Sequence, residues 1–87
     1  MQSVTIYTKN SCPFCRKAKA LLDSLGVRYE EHEVTFDPAL YASIKKRTGM
    51  NTVPQVLVGD DCLGGFSEID ALHREGKLLP LIRDEQV

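Results

Sequence analysis

The chain has 87 residues, 43% of them apolar and 26% charged, which suits one domain with a modest core and is too short for two. Its 11 basic and 12 acidic residues leave a net charge of −1 with no basic tract, which argues against a nucleic-acid binder or a protein held on anionic membranes. Three cysteines, two of them in one motif, do not make the disulfide framework of a secreted mini-protein, and Met1-Gln2-Ser3-Val4 leads into a strand pattern with no charged and apolar leader, so a cytoplasmic protein is expected.

Ser3 to Thr8 alternates and is rich in β-branched residues, the pattern of a strand. Ala18, Leu21, Leu22 and Leu25 then recur at helical spacing, which predicts a helix over about 13–25 stopped by Gly26. Val27 to Val34 reads as a second strand, and strand, helix and strand on short links favour a parallel pair with a right-handed crossover. Asp37 and Pro38 form an N-cap and first helical residue for a second helix to about Thr48, with Leu40, Tyr41 and Ile44 inward. Gly49 stops that helix, and Lys45, Lys46 and Arg47 suit its negative end. Gln55 to Val58, a turn at Gly59-Asp60-Asp61 and Cys62-Leu63 predict a hairpin, broken by Gly64-Gly65. Ser67 with Glu68 to Asp70 reads as a capping pattern that opens a third helix ending at Gly76, and Leu79 to Ile82 is the place for a short terminal helix. The whole is one α/β domain over 1–87 with the order β-α-β-α-β-β-α.

The chemistry centres on Cys12-Pro13-Phe14-Cys15, where the first strand turns into the first helix. A helix start has unpaired N–H groups and the positive end of the dipole, so a sulfur there is favoured as thiolate, the nucleophilic form. Pro13 gives up no needed N–H at the first helical position, and Lys9, Arg16 and Lys17 add positive charge nearby. Cys12 is therefore expected to be the exposed nucleophile. Cys15, one turn in, is expected to be buried and placed to attack a mixed disulfide on Cys12. A zinc site would need a second pair, and Cys62, His32 and His73 form none, so no metal is expected. A structural disulfide would close too short a loop to stabilise much.

Two further stretches complete a candidate site. Pro54 in Thr52-Val53-Pro54 is either an ordinary strand-start proline or the second residue of a cis peptide that turns the backbone of Val53 toward the thiol. Gly64-Gly65 before a helix start either makes a tight turn or lets a carboxylate reach the helix N–H groups. Cys62 reads as a half-buried strand residue, with regulatory oxidation as the alternative. His32 and His73 read as surface residues.

Tyr7-Thr8-Lys9, Cys12-Pro13-Phe14-Cys15, Thr52-Val53-Pro54 and Gly64-Gly65, in this order and spacing, resemble the glutaredoxin family, in its short bacterial dithiol form. The resemblance runs from Val4 to about Leu81. It implies a thioredoxin fold, a four-stranded mixed sheet flanked by three helices. It also implies glutathione-dependent reduction of protein disulfides and protein–glutathione mixed disulfides, with Cys12 as nucleophile and Cys15 as resolving thiol. Glutathione would be a co-substrate, with no tightly bound cofactor. Lys9 would meet its glycine carboxylate, with Arg47 or Asn51 as a second contact. Thr52, Val53 and Pro54 would meet its cysteinyl backbone, Gly65, Ser67 and Glu68 its γ-glutamyl end, and Phe14 would flank it. Phe14 stands where the family more often has Tyr, and Phe66-Ser67-Glu68 where an acidic pair is usual. The implied partners are disulfide-bonded or glutathionylated proteins, ribonucleotide reductase among them, met by a monomer. An electron donor recycled by thioredoxin reductase, a glutathione-bridged [2Fe–2S] dimer and a non-catalytic interaction module are the rival readings.

Overall fold

The computed structural model describes residues 2–83. The elements are β1 (Val4–Thr8), α1 (Pro13–Ser24), β2 (Glu30–Glu33), α2 (Pro38–Thr48), β3 (Gln55–Val58), β4 (Asp61–Gly64), α3 (Phe66–Arg74) and α4 (Leu78–Arg83). The sheet runs β2-β1-β3-β4. β1 and β2 are parallel, β1 and β3 antiparallel, and β3 and β4 a hairpin with a register shift at Val56/Leu57.

Alternation along β1 and β3 sends side chains to two faces. On one face Val4, Ile6, Val56 and Val58 pack with Ala18 and Leu22 of α1, Ile69 of α3, and Leu78 and Ile82 of α4. On the other, Tyr7 and Leu57 pack with Val34 and with Ile44 of α2, bordered by Leu40, Tyr41, Val53 and Cys62. The sheet is thus a middle layer, and the opposite helices are a consequence of the crossovers.

Four features differ from the sequence expectation. The second strand is shorter than 27–34, because Val27 and Val34 turn into the two cores while only Glu30–Glu33 pairs with β1. The terminal helix α4 is one residue longer at each end than the expected 79–82 and buries Leu78 and Ile82 completely. The third helix starts two residues earlier than a Ser67 cap would place it, with Gly65 as its cap residue. His32 is not a simple surface residue, being half-buried and stacked on Tyr7 with ring centroids 5.4 Å apart. Among the described residues no helix is long and apolar enough to cross a membrane.

Candidate active site

β1 ends at Thr8, and Lys9 to Ser11 carry the chain to Cys12, the N-cap of α1. Extended backbone at Cys12 lets its sulfur accept the Cys15 N–H at 3.2 Å, the bond an N-cap side chain normally makes through oxygen. Cys12 is half-exposed and Cys15 is buried, 1% exposed, beneath the first turn of α1. Burial first, and then the hydrogen bond with the Cys12 sulfur, push the Cys15 thiol up from 9.0 to about 12. The backbone N–H of Lys9 and the Lys19 ammonium oppose that rise. Lys19 is held at 3.1 Å by Glu31, whose carboxylate also accepts the buried Thr8 hydroxyl at 2.7 Å. The Thr8 hydrogen bond is the main reason the Glu31 carboxyl lies below its ordinary range.

Beside the dithiol is a cleft of about 350 Å³ lined by Phe14, Met50, Thr52, Val53, Pro54, Gly65, Phe66, Ser67 and Glu68. The Val53–Pro54 peptide is cis, which decides between the two sequence readings of that proline. The loop before it is tied down by Gln55, the fully buried first residue of β3. Its amide donates to the Met50 and Thr52 carbonyls, both at 3.0 Å, and its Oε1 accepts the Thr48 hydroxyl at 2.8 Å. The opposite wall is the start of α3. There the Gly65 N–H donates to Glu68 Oε1 at 2.6 Å and the Ser67 hydroxyl donates to Glu68 Oε2 at 2.6 Å. Those two bonds, that of Ser67 first, hold the Glu68 carboxyl below its ordinary range. A Cβ on Gly65 would come within 3.2 Å of the Pro54 carbonyl, so the two walls meet only across a glycine.

Of the residues the resemblance pointed to, Phe14, Thr52, Val53, Pro54, Gly65, Ser67 and Glu68 converge on this cleft. Lys9 lies outside its lining, with its ammonium 4.1 Å from the centre of the Tyr41 ring. Arg47 makes a 4.0 Å contact with Asp60, and the Asn51 carbonyl accepts the Tyr41 hydroxyl, so neither lines the cleft. Cys62 is half-buried and its thiol approaches the Met50 thioether at 3.6 Å. Sequence reasoning passed over Met50, Phe66 and Gln55. A glutamine opening an otherwise apolar strand was the one available signal. Phe66 stacks on Phe14 at 6.3 Å, and the Lys17 ammonium sits over both rings, at 5.2 and 5.9 Å. That cationic side chain offsets the exposure of the two aromatic faces.

Comparison with known proteins places this arrangement among relatives. Over 83 residues the chain is 41% identical to Glutaredoxin 3 of Escherichia coli (strain K12), an alignment covering 95% of this chain and all of that one. The solution structure of glutaredoxin from Brucella melitensis superposes with a TM-score of 0.87 at 39% identity, covering all of this chain and 95% of the other. The crystal structure of a buckwheat glutaredoxin–glutathione complex superposes with a TM-score of 0.89 at 32% identity, covering 95% of this chain and 78% of that one. Residues 4–63, which hold the dithiol, the cis proline and the hairpin, match the Glutaredoxin family, and the chain belongs to it.

Proposed function

We infer that the protein is a glutathione-dependent thiol–disulfide oxidoreductase that reduces protein disulfides and protein–glutathione mixed disulfides. The observation that carries this reading is the pairing of a half-exposed Cys12 at a helix start with a buried, protonated Cys15 behind it, beside an open cleft. In the monothiol route the Cys12 thiolate attacks the glutathione sulfur of a mixed disulfide. The protein thiolate leaves and takes a proton. A second glutathione thiolate then attacks the glutathione sulfur held on Cys12, which releases oxidised glutathione and restores the Cys12 thiolate. In the dithiol route Cys12 opens a protein disulfide, and Cys15 gives up its proton and attacks the Cys12 sulfur. The mixed disulfide breaks, and the protein thiolate leaves and takes a proton. Two glutathiones then reduce the Cys12–Cys15 disulfide and leave as oxidised glutathione.

The glutathione bound in the buckwheat relative supports the same ligand here. In this reading the edge at Thr52 and Val53 pairs with the cysteinyl backbone, with Pro54 behind it. Gly65, Ser67 and Glu68 receive the γ-glutamyl end, and Phe14 covers the tripeptide. The Gly65 N–H is already occupied by Glu68, so a γ-glutamyl carboxylate would displace the Glu68 side chain to reach it. Lys9 serves the glycine carboxylate by leaving the Tyr41 ring. We assign the whole chain to one domain acting as a monomer in the cytoplasm, on disulfide-bearing enzymes of which ribonucleotide reductase is one candidate.

The test is turnover of a glutathionylated substrate with glutathione and glutathione reductase. Wild type and Cys15→Ser are expected to be active and Cys12→Ser inactive. Inactive wild type that instead accepted electrons from thioredoxin reductase would replace this reading with the electron-donor one.

A further inference from the structure

Two large apolar side chains among the described residues stand out in solvent, Phe14 at 56% and Phe36 at 88% exposure. Phe14 belongs to the cleft, and Phe36 does not. A single exposed ring is ordinary on a protein surface. The position of Phe36 is not ordinary. Because β1 and β2 are parallel, both run out at the same end of the sheet, where Cys12 lies. The Val34 N–H donates to the Thr8 carbonyl at 2.8 Å and the Asn10 N–H donates to the Thr35 hydroxyl at 2.8 Å. These two bonds fasten the turn carrying Phe36 to the segment that leads into the nucleophile. On its other side Asp37 caps α2 through the Leu40 N–H at 3.1 Å. The Phe36 turn is thus tied down at both ends while its ring stays open to solvent.

The strand order puts the two apolar sites on opposite sides of Cys12. The cleft is built where β3 and α3 begin, and Phe36 follows β2, across β1 from them. A mixed disulfide has two arms that leave the S–S bond at roughly a right angle to one another. One arm, glutathione, belongs to the cleft.

We propose that Phe36 is the docking contact for the other arm, receiving an apolar side chain next to the modified cysteine of a polypeptide substrate. The inference rests on the oxidoreductase reading above and adds a preference among its protein substrates. Exposed Glu33 and Asp37 are close in sequence on either side of the ring, so the segment that fits is apolar beside its cysteine and not acidic. The chemistry is unchanged: Cys12 still takes the glutathione, and the peptide thiol leaves past Phe36.

The experiment compares kcat/KM of wild type and Phe36→Ser on three substrates. Two are glutathionylated peptides of equal length, one with Leu and one with Ser beside the modified cysteine. The third is the mixed disulfide of glutathione and free cysteine, which has no peptide arm. Burying part of one apolar side chain against the ring corresponds to a preference of roughly three- to tenfold for the Leu peptide in wild type. Phe36→Ser is expected to bring that preference to within about twofold while turning over the armless substrate at the wild-type rate. An unchanged Leu preference in Phe36→Ser, no preference in wild type, or an equal fall on all three substrates would each overturn the proposal. Wild type inactive on all three would overturn the oxidoreductase reading itself, and this inference with it. Equal thermal midpoints of the two proteins keep a folding defect out of the comparison.

Discussion

At the scale of single residues, the sequence made the placing of the two thiols legible and hid what holds the loop beside them. Cys12 and Cys15 follow from spacing alone, because a strand-to-helix turn offers one exposed and one buried position three residues apart. Gln55 does not, since its three hydrogen bonds reach the Thr48 hydroxyl at the end of α2 and two carbonyls in a loop whose path no local pattern encodes. Replacing it by Leu leaves the part-buried Met50 and Thr52 carbonyls without their partner. The expected cost is about 1–3 kcal/mol by denaturant unfolding, together with a raised KM for glutathione as the Thr52–Val53 edge loosens. Gly64 makes a similar point through sterics. Its φ is +115°, and a Cβ there would lie 2.7 Å from Glu68 Cγ and 2.8 Å from Glu68 Cβ. Gly64→Ala is therefore expected to destabilise by roughly 1–3 kcal/mol and to pull Glu68 off the Gly65 N–H, with thermal unfolding and glutathione KM as the measurements.

At the scale of elements, hydrophobic periodicity located the strands and helices, and errors collected at their ends. Ser67 looked like a helix cap because Ser followed by an acid is a frequent start signal. The acid that closes the box is Glu68, three residues after Gly65, so the cap falls on a residue with no side chain and Ser67 lies inside the first turn. Ser67→Ala should accordingly cost less than the ~1 kcal/mol typical of a lost N-cap, a difference that chemical denaturation resolves. The terminal helix was legible only as a short apolar run. Its weight becomes visible when Leu78 and Ile82 are seen filling the core against α1 and α3. Ile82→Ala is expected to destabilise by about 2–4 kcal/mol, which no six-residue helix judged by its own propensity would suggest.

At the scale of the molecule, the order of elements could be read from the chain and the resemblance implied a four-stranded mixed sheet, whereas the strand order β2-β1-β3-β4 is set by long-range pairing that no local pattern shows. One property belongs to the folded protein as a whole. The buried Cys15 thiol holds its proton up to about pH 12, and an unfolded chain releases it near 9.0. Between those values the unfolded state binds fewer protons, so stability present below pH 9 is lost as pH rises toward 12. Urea midpoints measured from pH 8 upward should fall for the reduced wild type and fall less for Cys15→Ser.

The strand β2 is the outer border of the sheet on one side, with the sequence Glu-Glu-His-Glu and most of its side chains in solvent. A border strand carries unused backbone donors and acceptors and invites another chain to extend the sheet. Here a second copy approaching that border would bring its own row of carboxylates against Glu30, Glu31 and Glu33. On the far border the register shift between Val56 and Leu57 disturbs the ladder of β4. One margin is guarded by charge and the other by shape, so neither border strand offers a flat, neutral ladder on which a fifth strand could pair.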